Sequence, residues 1–129
     1  MEYNFQDITT PEAAFAVQGL DIFKTPDFSN YPANMREHLV HEWRCLVCIA
    51  AVNGDFVPDW KNPDQIRYMI LSWVVRDDSK PSGFGLSYYD FDNSYTCTFV
   101  GARLVFGSTE KRAHFRKYFW EVWEAYYLS

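Results

Sequence analysis

Residues 34–52, NMREHLVHEWRCLVCIAAV, decide the fold. Met35, Leu39, Trp43, Leu46 and Ala50 recur at steps of four, four, three and four, the spacing of one face of an α-helix. Val40 and Val47 widen that stripe. Asn34 followed three residues later by Glu37 resembles a capping box, and Pro32 offers a slightly earlier start. Asn53-Gly54 closes the run. The spacing predicts a helix over about 34–52, central to the core.

The flanks complete the outline. Thr10-Pro11-Glu12 reads as a helix start, with a hydroxyl cap, a proline at the first helical position and an acid in the first turn. Gly19 supplies its stop. Residues 20–31 read as a connecting loop, as do residues 56–64 with Pro58 and Pro63. Residues 65–76 are dense in Ile, Val, Tyr and Trp and suit a mostly buried strand. A polar turn over 77–82 leads to a second strand over 83–91. Asp92-Asn93-Ser94 reads as a hairpin turn, and residues 95–106 as a third strand bent at Gly101. Ser108 or Thr109 caps a final helix running towards Tyr127. The expected architecture is α+β: an antiparallel sheet of about three strands, packed against the long central and C-terminal helices, with a short N-terminal helix.

A chain of 129 residues has the size of one domain, so residues 1–129 are expected to form one unit. Phe, Tyr and Trp make up 19% of it, which excludes intrinsic disorder. The net charge of −5 argues against a protein coated on all sides by nucleic acid or anionic lipid. Arg103, Lys111, Arg112, Arg116 and Lys117 nevertheless cluster with only Glu110 opposing them, so a local basic patch is compatible with that charge. The three cysteines and the absence of a basic, apolar leader at Met1–Thr10 point to a reducing cytoplasm. The longest apolar run, Cys45–Val52, is too short to span a bilayer, and no membrane contact is expected.

The stretches Pro81-Ser82-Gly83-Phe84-Gly85-Leu86-Ser87-Tyr88-Tyr89-Asp90 and Val100-Gly101-Ala102-Arg103-Leu104-Val105-Phe106 resemble a group of small bacterial proteins from prophages and mobile elements of gut bacteria. Thr10-Pro11-Glu12-Ala13-Ala14, Val57-Pro58-Asp59-Trp60-Lys61-Asn62 and the aromatic tail Phe119–Tyr126 are similar to that group too. The resemblance covers roughly residues 9–127. The chain departs from it at Phe56, where the group tends to have Trp, and at Gly107, where it tends to have Lys. The group has no assigned activity, so the resemblance implies a layout and a mobile-element origin but no catalytic residues.

Four motifs were weighed for chemistry. Cys45-Leu46-Val47-Cys48 is a C-x-x-C, but it lies about three turns inside an apolar helix, away from the helix N-terminus that activates redox thiols. Buried core thiols are the simpler reading. His38 and His41, with His114, supply ligand types without a metal-site spacing, and they read as part of a solvated face. Asp90-Phe91-Asp92-Asn93-Ser94 opens like a calcium loop, but Tyr95 and Gly101 stand where Gly and Glu are required. Gly83–Tyr89 looks superficially like an RNA-stacking strand, yet lacks its basic and aromatic markers and the expected element order. No catalytic, cofactor-binding or metal residue is assigned.

The final helix carries the most informative surface. At roughly 100° per residue, Phe115, Tyr118, Phe119, Val122 and Tyr126 share the face expected to meet the core. Trp120, Trp123 and Tyr127 fall in the next sector, interleaved with Arg112 and Arg116. These five residues form the candidate partner surface, since Trp, Tyr and Arg anchor interfaces; the simpler alternative is that another element covers the sector. The expected function is that of a non-enzymatic accessory protein acting through a protein partner or homo-oligomer. The alternative is nucleic-acid binding through Arg103, Lys111, Arg112, Arg116 and Lys117.

Overall fold

Local caps fix where the helices begin and end. In the computed structural model, which describes residues 3–94 and 103–129, a single 3-10 turn at Phe5–Asp7 precedes helix α1, Pro11–Val17. The Thr10 hydroxyl accepts the Ala13 amide at 3.1 Å, as the sequence predicts. At the other end Gly19 adopts φ 70°, which lets its N–H reach Ala16 O and the Leu20 N–H reach Phe15 O. This paired closure satisfies the last carbonyls of the helix.

Helix α2 spans Ala33–Asn53. Its N-cap is Pro32 and no side chain caps it, so the capping box expected from Asn34 and Glu37 does not form. Arg36 organises this end instead, donating from Nε to Tyr31 O at 2.9 Å and from Nη2 to Ser29 O at 3.0 Å. The C-terminal end is the more heavily bonded. The Tyr3 hydroxyl donates to the carbonyls of Ala51 and Val52, and Lys111 Nζ donates to Asn53 O at 2.6 Å. A cation at this end also complements the helix dipole.

Three antiparallel strands follow: β1 at Arg67–Arg76, β2 at Phe84–Ser94 and β3 at Val105–Phe106, in the order β2-β1-β3. Two expectations change here. Asp92-Asn93-Ser94 is strand, because β2 stays paired with β1 as far as Ser94 opposite Arg67, across a bulge between Arg67 and Met69. Residues 95–102 of the expected third strand lie outside the described residues. The part that is described pairs with β1, through Tyr68 opposite Phe106 and Met69 opposite Val105. The turn at 77–83 closes the β1–β2 hairpin with Gly83 at φ 79°.

Helix α3, Thr109–Leu128, starts on Ser108, whose hydroxyl accepts the Lys111 amide. It is kinked at Phe119, where φ −125° and ψ 16° leave the helical range. The core lies between the helices and one face of the sheet and joins Phe15, Cys48, Ile49, Val52, Ile70, Phe106, Phe115, Phe119 and Trp123. On α2 the buried set is Cys45, Cys48, Ile49, Ala51, Val52 and Asn53, while Met35 and Ala50 of the expected stripe are exposed. On α3 the buried set is Arg112, Phe115, Phe119 and Trp123, and Tyr118 of the expected face is exposed.

Candidate functional site

Burial divides the residues expected to form a partner surface. Trp123 leaves that surface: it is fully buried, and its indole N–H donates to Ser72 Oγ of β1 at 2.9 Å. The element that covers this part of the sector is therefore the sheet. Arg112 is buried too, with Nη1 donating to Met69 O at 3.4 Å and its guanidinium 5.7 Å from the Tyr68 ring. Arg116 and Trp120 remain half-buried and line a shallow hollow of about 310 Å³ with Ala113 and Lys117. Tyr127 stays exposed beside Trp123, with ring centroids 4.9 Å apart, and burial pushes its phenol up to about 12.

The five basic residues do not form one patch. Lys111 caps α2 and Arg112 is inside the fold. Arg103 lines a hollow beside the C-terminal end of α2, whereas Arg116 and Lys117 line the separate one on α3.

The motifs weighed for chemistry settle into structural roles. Cys45 and Cys48 are free, fully buried thiols. Burial pushes Cys48 up to about 12, with a further contribution from Glu12, and pushes Cys45 up as well, with contributions from Cys48 and Glu42. Such thiols are protonated and poor nucleophiles at neutral pH. His38 lies 3.8 Å from Glu42 and stacks on Tyr126, and its Nδ1 donates to the Ser129 hydroxyl at 2.8 Å. His41 lies 3.8 Å from Glu37. His114 is tied elsewhere, its Nε2 donating to Ile8 O at 2.6 Å. Among the described residues no three His, Cys, Asp or Glu side chains converge as metal ligands.

Three polar residues that sequence reasoning passed over hold the molecule together. Glu124 Oε1 accepts the Trp120 indole at 2.9 Å and the Leu86 amide at 3.2 Å, while Oε2 accepts Lys80 Nζ at 3.2 Å. That carboxylate holds the Lys80 ammonium above its usual range. Asn53, buried, donates to Val105 O at 2.8 Å and accepts the Gly107 amide at 3.0 Å, tying α2 to β3 and the segment after it. Arg67 is wholly buried on the face of β1 turned away from α3, with its guanidinium 4.1 Å from the Trp60 ring centroid. Its Nη1 faces the carbonyls of Asp59 and Asn62 and the Gln65 amide oxygen. The only sequence signal for it was a lone arginine opening an apolar strand.

The hairpin end carries the largest exposed apolar groups near α3. Val74, Phe84 and Leu128 line one shallow hollow with Ser82, and they are 59%, 50% and 40% exposed; Tyr127, beside Leu128, is 40% exposed. No helix among the described residues is long and apolar enough to cross a membrane. Comparison with family models, curated proteins and solved structures finds no match to the chain.

Proposed function

We propose that the protein is a non-enzymatic binding protein that works through protein–protein contact, with a second copy of the same chain on the patch formed by Val74, Phe84, Tyr127 and Leu128. The observation that carries this reading is the convergence of three large apolar side chains, Val74, Phe84 and Leu128, each two-fifths or more exposed, at the end of one hairpin and one helix, with the equally exposed Tyr127 next to Leu128 in the helix. Grouped exposed apolar surface marks contact sites, and an apolar patch can meet its own copy across a two-fold axis without any charge matching. Further support comes from the groups that chemistry would recruit: the two C-x-x-C thiols are sealed in the core, and the histidines are engaged in ring, ion-pair and hydrogen-bond contacts within the fold. The resemblance to prophage and mobile-element proteins supports an accessory role, and the free thiols support a cytoplasmic location. Nucleic-acid binding is not favoured, because Lys111 and Arg112 are committed to bonds within the fold.

Sedimentation equilibrium tests the reading. The wild type is expected to dimerise at micromolar concentration, and Leu128→Asp to be monomeric with an unchanged far-ultraviolet circular dichroism spectrum. A wild type that stays monomeric up to the highest soluble concentration overturns it.

A further inference from the structure

A second hollow differs from that patch in character. It sits where the C-terminal half of α2 meets the segment leading away from it, and it has a volume of about 370 Å³. Its walls are Leu46 and Ile49 from the helix and Phe56, Val57 and Pro58 from the following segment, with Arg103 as the one charged side chain. A cavity of this size, mostly apolar with few polar groups, has the make-up of a small-molecule site.

Its polar groups are unequal. Asn53 also lines the hollow, but both ends of its amide are engaged, with Val105 O and the Gly107 amide. Arg103 is exposed and belongs to none of the ion pairs found among the described residues. The wall is equally constrained. Phe56 is held against Gly107, where a Cβ would lie 2.6 Å from Phe56 Cγ. The floor is fixed by the bonded C-terminal turn of α2. A preformed apolar hollow with a fixed floor loses little entropy on ordering a ligand.

We infer that this hollow binds a small amphipathic carboxylate, with its hydrocarbon part against Leu46, Ile49, Phe56 and Val57 and its carboxylate on the Arg103 guanidinium. One guanidinium fork matches one carboxylate through two parallel N–H···O bonds, with the exposed Gln18 amide the other side chain in the lining that can donate, whereas a dianionic phosphate monoester calls for a second cation that the lining lacks. Apolar contact supplies the affinity and the single cation selects the head group.

The test uses three probes with the same chain, octanoate, octanol and octyltrimethylammonium, followed by amide and methyl chemical shifts of the full-length protein. Octanoate is expected to bind at millimolar concentration or tighter, to shift Leu46, Ile49 and Val57, and to bind more tightly than octanol; the ammonium compound is expected not to bind. Arg103→Gln, a change at an exposed position, is expected to weaken octanoate by between about tenfold and a hundredfold while leaving octanol unchanged. Ala50→Trp, from an exposed position on the rim, is expected to fill the hollow and abolish both. Equal binding of octanoate and octanol, undiminished octanoate binding by Arg103→Gln, or shifts confined to residues outside the hollow each overturn the proposal. Because none of these residues belongs to the patch at Leu128, the result does not depend on whether the chain dimerises.

Discussion

The two ends of strand β1 have similar sequences and opposite surroundings. At the first end Arg67, Met69 and Ile70 are buried, and at the far end Trp73 and Val74 are 49% and 59% exposed. Composition does not explain the difference, since the arginine is inside and the tryptophan outside. Cover does. The first end is paired on both sides, by β2 and β3, and carries the Trp60 segment on one face and α3 on the other. Among the described residues the far end is paired only with β2. Ser72 accepts Trp123 from α3, so by strand alternation Trp73 points to the opposite face, while Val74 returns to the α3 side where the helix ends at Leu128. Burial here is set by how far neighbouring elements extend.

The largest expected effect separates two tryptophans on either side of that boundary. Trp123→Ala removes a fully buried ring and leaves Ser72 without its donor, and is expected to cost about 3–5 kcal/mol in urea denaturation. Trp73→Ala is expected to stay within about 1 kcal/mol. Similar losses at both sites would mean that the far end is as packed as the first. Next in size is Gly107→Ala. The new Cβ would sit 2.6–2.9 Å from three atoms of Phe56, so it is expected to destabilise by about 1–3 kcal/mol. Truncating the ring as well, in a Phe56→Leu background, should recover part of the loss.

The core thiols give an effect that depends on pH. Unfolded, each ionises near pH 9, whereas Cys48 in the fold holds its proton to about 12 and Cys45 is shifted the same way. Raised folded pKa values mean a contribution fully present below about pH 9 and lost as pH rises towards 12. The slope is expected to approach about 1.4 kcal/mol per pH unit for each thiol within that window. Urea midpoints between pH 8 and pH 11 should fall more steeply for the wild type than for Cys45→Ala/Cys48→Ala. Equal slopes would show that the thiols are not sealed.

What the sequence disclosed follows the range of the interactions involved. Thr10 and Ser108 were legible as caps because each acts on an amide three residues away. The extent of α2 was legible for the same reason, but its buried face was not. The apolar stripe assumes burial around the helix axis, whereas exposure in α2 changes along it, from the open turn at Met35 to the sealed turn at Val52. On α3 the buried residues Arg112, Phe115, Phe119 and Trp123 are spaced as one regular helical face, and the apolar residues on either side of it, Tyr118 and Trp120, leave its centre unmarked in the sequence. Asp92-Asn93-Ser94 has turn chemistry, and long pairing with β1 overrides it. For the candidate surface, Trp120 and Trp123 looked equivalent on the wheel; only the position of Ser72, 51 residues earlier, distinguishes them. The hollow beside Arg103 depends on segments brought together from three parts of the chain, and no local signal marks it.

The smallest effect lies at the boundary itself. Strand β2 is an edge, and the Leu86 amide points away from β1 towards the Glu124 carboxylate, 3.2 Å distant. An edge amide bonded in this way is withheld both from water and from a strand of another molecule. Glu124→Ala should therefore speed hydrogen exchange at Leu86 several-fold, about the worth of one hydrogen bond, while leaving exchange at Met69 unchanged. If Leu86 exchanges at the same rate in the variant, the Glu124 carboxylate does not protect the edge. If Met69 accelerates as well, the two ends of β1 open together, and the difference in their cover has no counterpart in their stability.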